Sequence, residues 1–548
     1  MKKTILSIFV LFISAITTVF SIPITVGLMQ HSSGSLDDGY ILFTQINTKK
    51  TFLIDKCGYK INEWTSAYSP GFTVYLTPDG NLLHTGSVQN KNFTIGGNGG
   101  IIEKLDWDSK VIWSYRISNF FECQHHDIKL LPNGNILAIV WDRISVEQAK
   151  SSGRDPVTLD TTLLSEKIVE LRPIGKDSAQ IVWEWKVWDH IVQDYDEGKP
   201  NFGVVSEHPE LINLNNYDST NKIDWLHCNS IDYNAELDQI LISVCHFNEI
   251  WIIDHSTTKT QAATHQGGKS LKGGDLLYRW GNPTTYNMGE LDQRQFTLQH
   301  DAYWIPKGFP NENKIMVFNN LRNWTEPKYS SVDIIAPPIN EDGSYSEQLP
   351  YGPNEPDWRY IDTIPKNFYS MNLAGAQQMS NGNILICNGF SGTFFEIDSN
   401  RRLVWKYINP FKPLGIVHQG IEPQINSVFR AIFYPSDYSG FIGKNLLQKG
   451  LIENENQNSE KCELVISVVD DKAMNSLDVY PNPADEFIRV ETKLNSYRIF
   501  VKDLEGNTVI EQENNSIIST KTLSNGVYFI YLISGNNEMS SKKIIVGR

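Results

Sequence analysis

Between about residues 40 and 410 the chain repeats one alternation of polar turns and apolar runs. Pro78-Asp79-Gly80-Asn81 precedes LLHTG, and the same cadence returns as LPNGNILAIV from Leu131 and SNGNILICNG from Ser380. Asn-Gly and Asp-Gly between β-rich runs are strong hairpin signals, because their central residues tolerate positive φ. Each such unit leads to a second one, a strand, a turn and a strand ending in Trp. It reads TFLIDKCGYKINEW from Thr51, GGIIEKLDWDSKVIWSY from Gly99, KIVELRPIGKDSAQIVWEW from Lys167 and TFFEIDSNRRLVWKY from Thr393, with degenerate copies around 250–280 and 332–358. Four strands per unit fit the spacing, and no helical or heptad period runs through any long span. Self-similarity of this kind predicts a β-propeller, of six blades with seven as the alternative. The recurring Trp is expected to fill the wedge between neighbouring blades.

The texture changes beyond Gly450. ENENQNSEKC is polar and without hydrophobic period, so 451–475 reads as a linker. From 476 to 548 come short alternating strands, VYPNPADEFIRVET, YRIFVKDLEGNTVIEQ and LSNGVYFIYLIS, with no His, Cys or Trp among them. The expected fold class is therefore all-β, a six-bladed β-propeller over 22–450 followed by a small immunoglobulin-like β-sandwich. At the other end, Lys2 and Lys3 precede the apolar ILSIFVLFISAITTVF, and Val19 and Ser21 are small enough for the −3 and −1 positions. Residues 1–21 thus read as a signal peptide cleaved after Ser21, the rival being an uncleaved anchor.

Composition narrows the partners. A chain of 548 residues that is 40% hydrophobic and 11% aromatic can bury a large core. Its formal charge of −15 argues against nucleic acid as a partner. The six cysteines, at 57, 123, 228, 245, 387 and 462, contain no CxxC pair, which disfavours a zinc site. Cys228 and Cys245 flank an expected hairpin turned near Ala235 to Asp238, so they are a candidate disulfide, or else two buried thiols.

The residues able to carry chemistry gather near strand ends. Gln124-His125-His126-Asp127, Asp224 to Ser230 (DWLHCNS) and Gln299-His300-Asp301 are three such clusters, in three repeat units. A propeller aims its inner strands at one axis, where distant residues meet. His, Arg and Asn with few committed carboxylates suit an anion, with His as nucleophile or general acid and base. Arg322, beside Asn319, Asn320 and Asn323, is of the type that steadies a transferring oxyanion. A metal on His125, His126 and Asp127 is the competing reading, but adjacent strand residues face opposite ways unless a bulge intervenes. Candidate catalytic residues are His126, His227, His300 and Arg322, and candidate substrate-binding residues are Asn229, Asn320 and His125. No cofactor and no metal are expected.

At these residues the chain resembles the bacterial arylsulfate sulfotransferases and the arylsulfotransferase-like propellers, from about Gly27 to Lys449. The likeness is carried by HHDIKLLPNGNILAI, WKVWDHIVQDYD, WLHCNSIDYNAELDQILISV, NEIWIIDHSTT, GGDLLYRWGNP, LQHDAYWIP followed by FNN, and AGAQQMSNGNILICNG. It implies a sulfuryl group moved from a phenolic sulfate ester to a phenol, ping-pong through a sulfo-histidine, without an adenylyl-sulfate donor. By the matching strings, His227 and His300 fall on the family's active-site histidines and Arg322 on its sulfate-binding arginine. The family's nucleophile is a histidine late in the propeller. Here no histidine lies between His300 and His418, and Cys245-His246 stands after ISV where an arginine is expected. His418 in GIVHQG and His126 are the substitute nucleophiles considered, and a propeller that binds a ligand without turnover is the rival function. A quinone-dependent dehydrogenase, with eight regular blades and a repeated docking motif, fits less well. Similarly, DVYPNPADE, LEGNTV, LSNGVYFIYL and the closing Lys-Lys strand resemble the C-terminal sorting domain of type IX secretion substrates. This implies export, contact with that machinery, and a secreted or outer-membrane-surface location.

Overall fold

The Asn-Gly and Asp-Gly turns close hairpins at the expected places, with Gly80, Gly134 and Gly382 at φ of 74°, 84° and 91°. In this computed structural model, residues 23–46, 48–216, 222–323, 325–462, 477–492, 496–503, 508–534 and 539–547 are described. The expected signal peptide and most of the expected linker lie outside them.

The chain divides into two compact units, Met1–Glu463 and Leu464–Arg548. Six antiparallel sheets of four or five strands make up most of the first. Their leading strands are β1 (Pro70–Leu76), β2 (Glu122–Leu130), β3 (Cys228–Asn234), β4 (His300–Trp304), β5 (Ala374–Gln378) and β6 (Val428–Pro435). Each packs on the next, and β6 returns to β1, so the arrangement is propeller-like with the leading strands innermost. Two sheets mix the chain's ends: β6 pairs with Gly39–Gln45, and Gly27–His31 pairs with Leu403–Ile408.

The Trp repeats lie between sheets as the spacing predicts. Trp64 donates its indole N–H to Asp106 O, Trp113 to Ser178 O, Trp185 to Gly274 O and Trp405 to Lys56 O, each acceptor belonging to the next sheet or its loops. A large apolar ring with one polar handle both fills the wedge and satisfies a buried carbonyl there.

The cysteine pairing differs from the candidate. Cys57 and Cys462, 405 residues apart, form the disulfide, whereas Cys228 and Cys245 are the two buried thiols of the alternative reading. In the hairpin Cys228 stands opposite Val244, and Cys245 has already entered a 3-10 turn, so the two thiols are out of register. The disulfide fastens the polar stretch beyond 450. Leu451 bridges Tyr59, and the Asn456 side chain donates to Val26 O and Leu28 O.

The second unit has two antiparallel sheets. One joins Asp478–Tyr480, Phe487–Glu491 and Ile517–Ser519; the other joins Tyr497–Lys502, Thr508–Glu513, Gly526–Ser534 and Met539–Val546. Their alternating apolar positions, among them Ile488, Val490, Ile499, Val501, Ile530 and Ile544, share one core.

Candidate active site

Five residues within or just before β1 to β5 have left-handed backbone: Phe72 (φ 95°), His126 (47°, in the middle of β2), His227 (53°), Leu298 (54°) and Leu373 (56°). The pairing of β1 to β3 with the next strand is shifted by a bulge at or beside these positions, and that of β4 between His300 and Tyr303. None of the five is glycine, and a bulky residue in this region costs about 1–3 kcal/mol, strain that gathers at functional sites. The return on it is visible: all five line one cavity of about 330 Å³ at the axis. His246, His300, Cys245, Met371 and Asn372 complete most of the wall.

The bulge at His126 overrides strand alternation. The His125 and His126 rings meet Nδ1 to Nδ1 at 2.9 Å. His125 turns inward, stacked on Trp141 with ring centres 3.9 Å apart, and its Nε2 lies 2.7 Å from Glu166 Oε2. His126 faces the cavity, and its ring centre is 4.6 Å from that of His227. Burial holds both His125 and His126 well below the usual imidazole range, with neighbouring histidines adding to it at His126. Burial, then the charge of Asp224, pushes the Glu166 carboxyl well above its usual range. A buried carboxyl that keeps its proton and two neutral imidazoles form a line that ends in the cavity.

His227 has a different partner. Its Nδ1 lies 2.5 Å from Asp224 Oδ2, and its ring lies nearly parallel to that of His246, at 4.9 Å. Burial works against the Asp224 charge, but His227 outweighs it and the carboxylate is held below its usual range. His246 Nδ1 donates to the Asp224 carbonyl at 2.8 Å. His300 Nδ1 donates to Asn320 Oδ1 at 2.8 Å and Leu298 O at 3.0 Å, which leaves its Nε2 lone pair for the cavity. Burial, against the help of Asn320, pulls His300 down to about 4.

His126, His227 and His300, the predicted histidines, are thus brought together. Asn320 lies behind His300 as its orienting partner. Asn229 is a cross-tie, donating to Gln299 O at 2.7 Å. Arg322 sits beside Arg359 and Asp333, on the outer strands of its sheet, and is not among the residues lining the cavity. Sequence reasoning did not single out Asp224, His246 or Glu166 as site residues. Asp224 opens one of the quoted clusters and His246 enters only as a departure after ISV, whereas Glu166 sits in a plain strand with no signal of its own.

One step further along the same strands, Asp127, Asp301 and Arg430 line a second cavity of about 260 Å³. Arg430 reaches Asp127 at 3.1 Å and Asp301 at 2.8 Å. The carboxylates there also tie strand to strand, Asp232 accepting from Trp304 N and Asp301 from Ala376 N.

Two expectations follow from this geometry. Gly97 has φ of 94°, and a Cβ there would come within 1.8 Å of His126 Cε1. Gly97→Ala therefore displaces the imidazole, and kcat/KM should fall roughly a hundredfold while circular dichroism stays unchanged. Secondly, unfolded His300 takes up a proton near pH 6.5 but the folded side chain only near 4, so its contribution to stability falls as pH drops through that window. Asp301, raised to about 6 by burial against Arg430, has the opposite sign, so the comparison must be with a variant. The stability gap between wild type and His300→Gln should narrow by roughly 2 kcal/mol between pH 7 and pH 5, read from urea unfolding.

Comparison with known proteins adds the following. Residues 28–427 match the family model described as Arylsulfotransferase (ASST), and residues 478–547 match that of the Secretion system C-terminal sorting domain, which indicates export to the cell surface or beyond. No curated protein is significantly similar to the chain. Among solved structures, a protein of unknown function from Bacteroides caccae is similar at 12% identity and a TM-score of 0.37, covering 72% of this chain and 98% of that one. A streptogramin B lyase is similar at 13% identity and a TM-score of 0.34, covering 75% and 97%. A protein from Lactobacillus plantarum gives 8%, 0.36, and coverage of 88% and 99%.

Proposed function

The chain belongs to the arylsulfotransferase (ASST) family, and from that premise we propose that it transfers a sulfuryl group from a phenolic sulfate ester to a phenol through a sulfo-histidine on His227. The observation that carries the reading is the convergence of the His227–Asp224 pair and the His126–His125–Glu166 line on one largely apolar cavity. Phe72, Leu298, Met371 and Leu373 suit an aromatic ring.

With its Nδ1–H given to Asp224, neutral His227 presents an Nε2 lone pair, and Asp224 stabilises the imidazolium that forms on attack. The N–S bond forms as the S–O bond to the phenol breaks. The departing phenolate takes the His126 Nε2 proton, His126 takes one at Nδ1 from His125, and His125 takes one at Nε2 from Glu166. In the second half the acceptor phenol returns its proton along the same line and its oxygen takes the sulfuryl group from His227. His300, neutral and oriented by Asn320, accepts the incoming phenol's hydrogen bond until that proton turns to His126 Nε2 for transfer. Asn229 and His125 contribute structure and proton supply in this reading, and Arg322 acts from outside the cavity.

In the same reading the six sheets are six blades, the C-terminal unit is an immunoglobulin-like sandwich, a cleaved N-terminal signal peptide opens export, and the type IX machinery completes it. The test is release of 4-nitrophenol from its sulfate ester with and without phenol. Acceptor-dependent release, with sulfate recovered on phenol, supports the transferase. No release from folded protein moves the assignment to a propeller that binds an anionic or aromatic ligand without turnover.

A further inference from the structure

Away from the cavity, three side chains meet at one point outside the sheet containing β2. His190 follows the strand Ser178–Lys186, and His265 and Asp275 lie in the loop after Glu249–Asp254. His190 Nδ1 is 2.8 Å and His265 Nδ1 2.7 Å from the same oxygen, Asp275 Oδ1. His190 Nε2 is 2.8 Å from Ala262 O. A carbonyl oxygen only accepts, so Nε2 carries the hydrogen. A neutral His190 then points its Nδ1 lone pair at a carboxylate oxygen, acceptor against acceptor. A positive charge at that point, a second proton on the ring or a bound cation, resolves the contact, and the aim of His265 at the same oxygen makes it a three-donor point rather than a pair.

We propose that His190, His265 and Asp275 form a binding site for a divalent transition-metal ion of the zinc type. The three donor atoms lie within 4.8 Å of one another, and the two ring centres are 5.7 Å apart at 88°. Two imidazoles on one tetrahedral ion, with bonds of about 2.0–2.1 Å, place their ring centres roughly 5–6 Å apart. The donor atoms need to open by only roughly 0.5 Å to admit the ion. Two imidazoles and one carboxylate select zinc and its neighbours over calcium or magnesium. An outer shell is present: Ala262 O fixes the His190 tautomer, and Trp185 lies parallel to the His190 ring while its indole donates to Gly274 O. His190 is fully buried, but His265 is 58% exposed at its side chain, which leaves an entry path and a solvent-facing fourth position. The ion pins the loop carrying His265 and Asp275 against the sheet edge at Trp185.

A second cluster, Asp224, His227 and His246, has donors equally close. There the Nδ1–H of each histidine meets an acceptor, Asp224 Oδ2 or Asp224 O, so ordinary tautomers suffice. The cavity cluster is therefore the internal control.

The experiment is calorimetric titration of the full chain, stripped with chelator, with Zn(II), and absorption spectroscopy with Co(II). The expected result is one Zn(II) per chain and a thermal midpoint raised by roughly 3–5 °C at a hundredfold excess over Kd. Affinity should fall at least about a hundredfold in His265→Gln and Asp275→Asn, and stay unchanged in His246→Gln. Unaltered binding in His265→Gln, binding lost with His246→Gln, or no binding at millimolar Zn(II) each overturns the site. His265 is exposed, so its variant reports on metal and not on folding, and 4-nitrophenol release measured alongside separates this result from the fate of the transferase reading.

Discussion

His227→Gln removes both the sulfo-histidine adduct and acceptor-dependent 4-nitrophenol release, lowering kcat/KM by at least about four orders of magnitude. The glutamine keeps a polar group in the cavity but has no lone-pair nitrogen with a carboxylate behind it. The loss is therefore chemical rather than structural, and unchanged melting of the variant checks that. The companion substitution tests the proton line. Glu166→Gln keeps the packing under Trp141 and His125 but cannot hand a proton on. For unsubstituted phenyl sulfate, whose phenolate is a poor leaving group, kcat should drop by about 10²–10³. For 4-nitrophenyl sulfate, whose phenolate leaves unaided, the drop should be several-fold at most. Mass spectrometry of donor-treated His227→Gln decides the nucleophile: an adduct on His126 or His300 reassigns it. Equal losses for the two esters in Glu166→Gln would remove the relay and leave the nucleophile untouched.

The second large effect is on folding. Arg430→Met should destabilise the N-terminal unit by about 3–5 kcal/mol, the usual penalty for removing one partner of a buried ion pair. Arg430 is buried between Asp127 of β2 and Asp301 of β4 and also donates to the Tyr75 hydroxyl. Burial alone would discharge it, but the two carboxylates outweigh that and hold it firmly charged. Without it, two buried carboxylates face each other near the axis, and the ties from Asp301 to β5 and from Asp127 to β3 lose their counterion. Urea unfolding of the variant and of Arg430→Met/Asp127→Asn/Asp301→Asn separates the terms. The triple variant should recover part of the loss, since it removes the stranded charges, and a single variant as stable as wild type would show that Arg430 contributes no net stability.

The hairpin repeats were legible because they depend on neighbours in the chain. Asn133-Gly134 or Asp79-Gly80 makes a turn wherever it stands between β-forming runs, and the Trp at the end of each fourth strand marks a wedge by its size alone. The histidines His126, His227 and His300 could be gathered in advance for a related reason: inner strands converge, with His227 and His300 at the start of theirs and His126 at the bulge within its own.

What stayed hidden depended on contacts across hundreds of residues. The Cys57–Cys462 disulfide joins positions no local pattern connects, and the hairpin that suggested Cys228 and Cys245 puts them one residue out of register. Arg322 was chosen for its asparagine neighbours, yet the bend after Ile315–Asn319 places it beside Arg359 and outside the cavity lining. The arginine that does reach the axis, Arg430, comes from the strand that closes the ring with the chain's N-terminal sheet. His125 and His126 seemed bound to face apart because strands alternate, but a bulge, a property of pairing rather than of sequence, turned their rings together. Repeats, turns, wedge residues and the stock of imidazoles were thus determined by the sequence alone, through steric preferences acting within a few residues. Which imidazole meets Asp224, which meets Glu166, and where the positive charge lies were decided by the tertiary structure, because partner, burial and bulge position exist only once six separate sheets are brought around one axis.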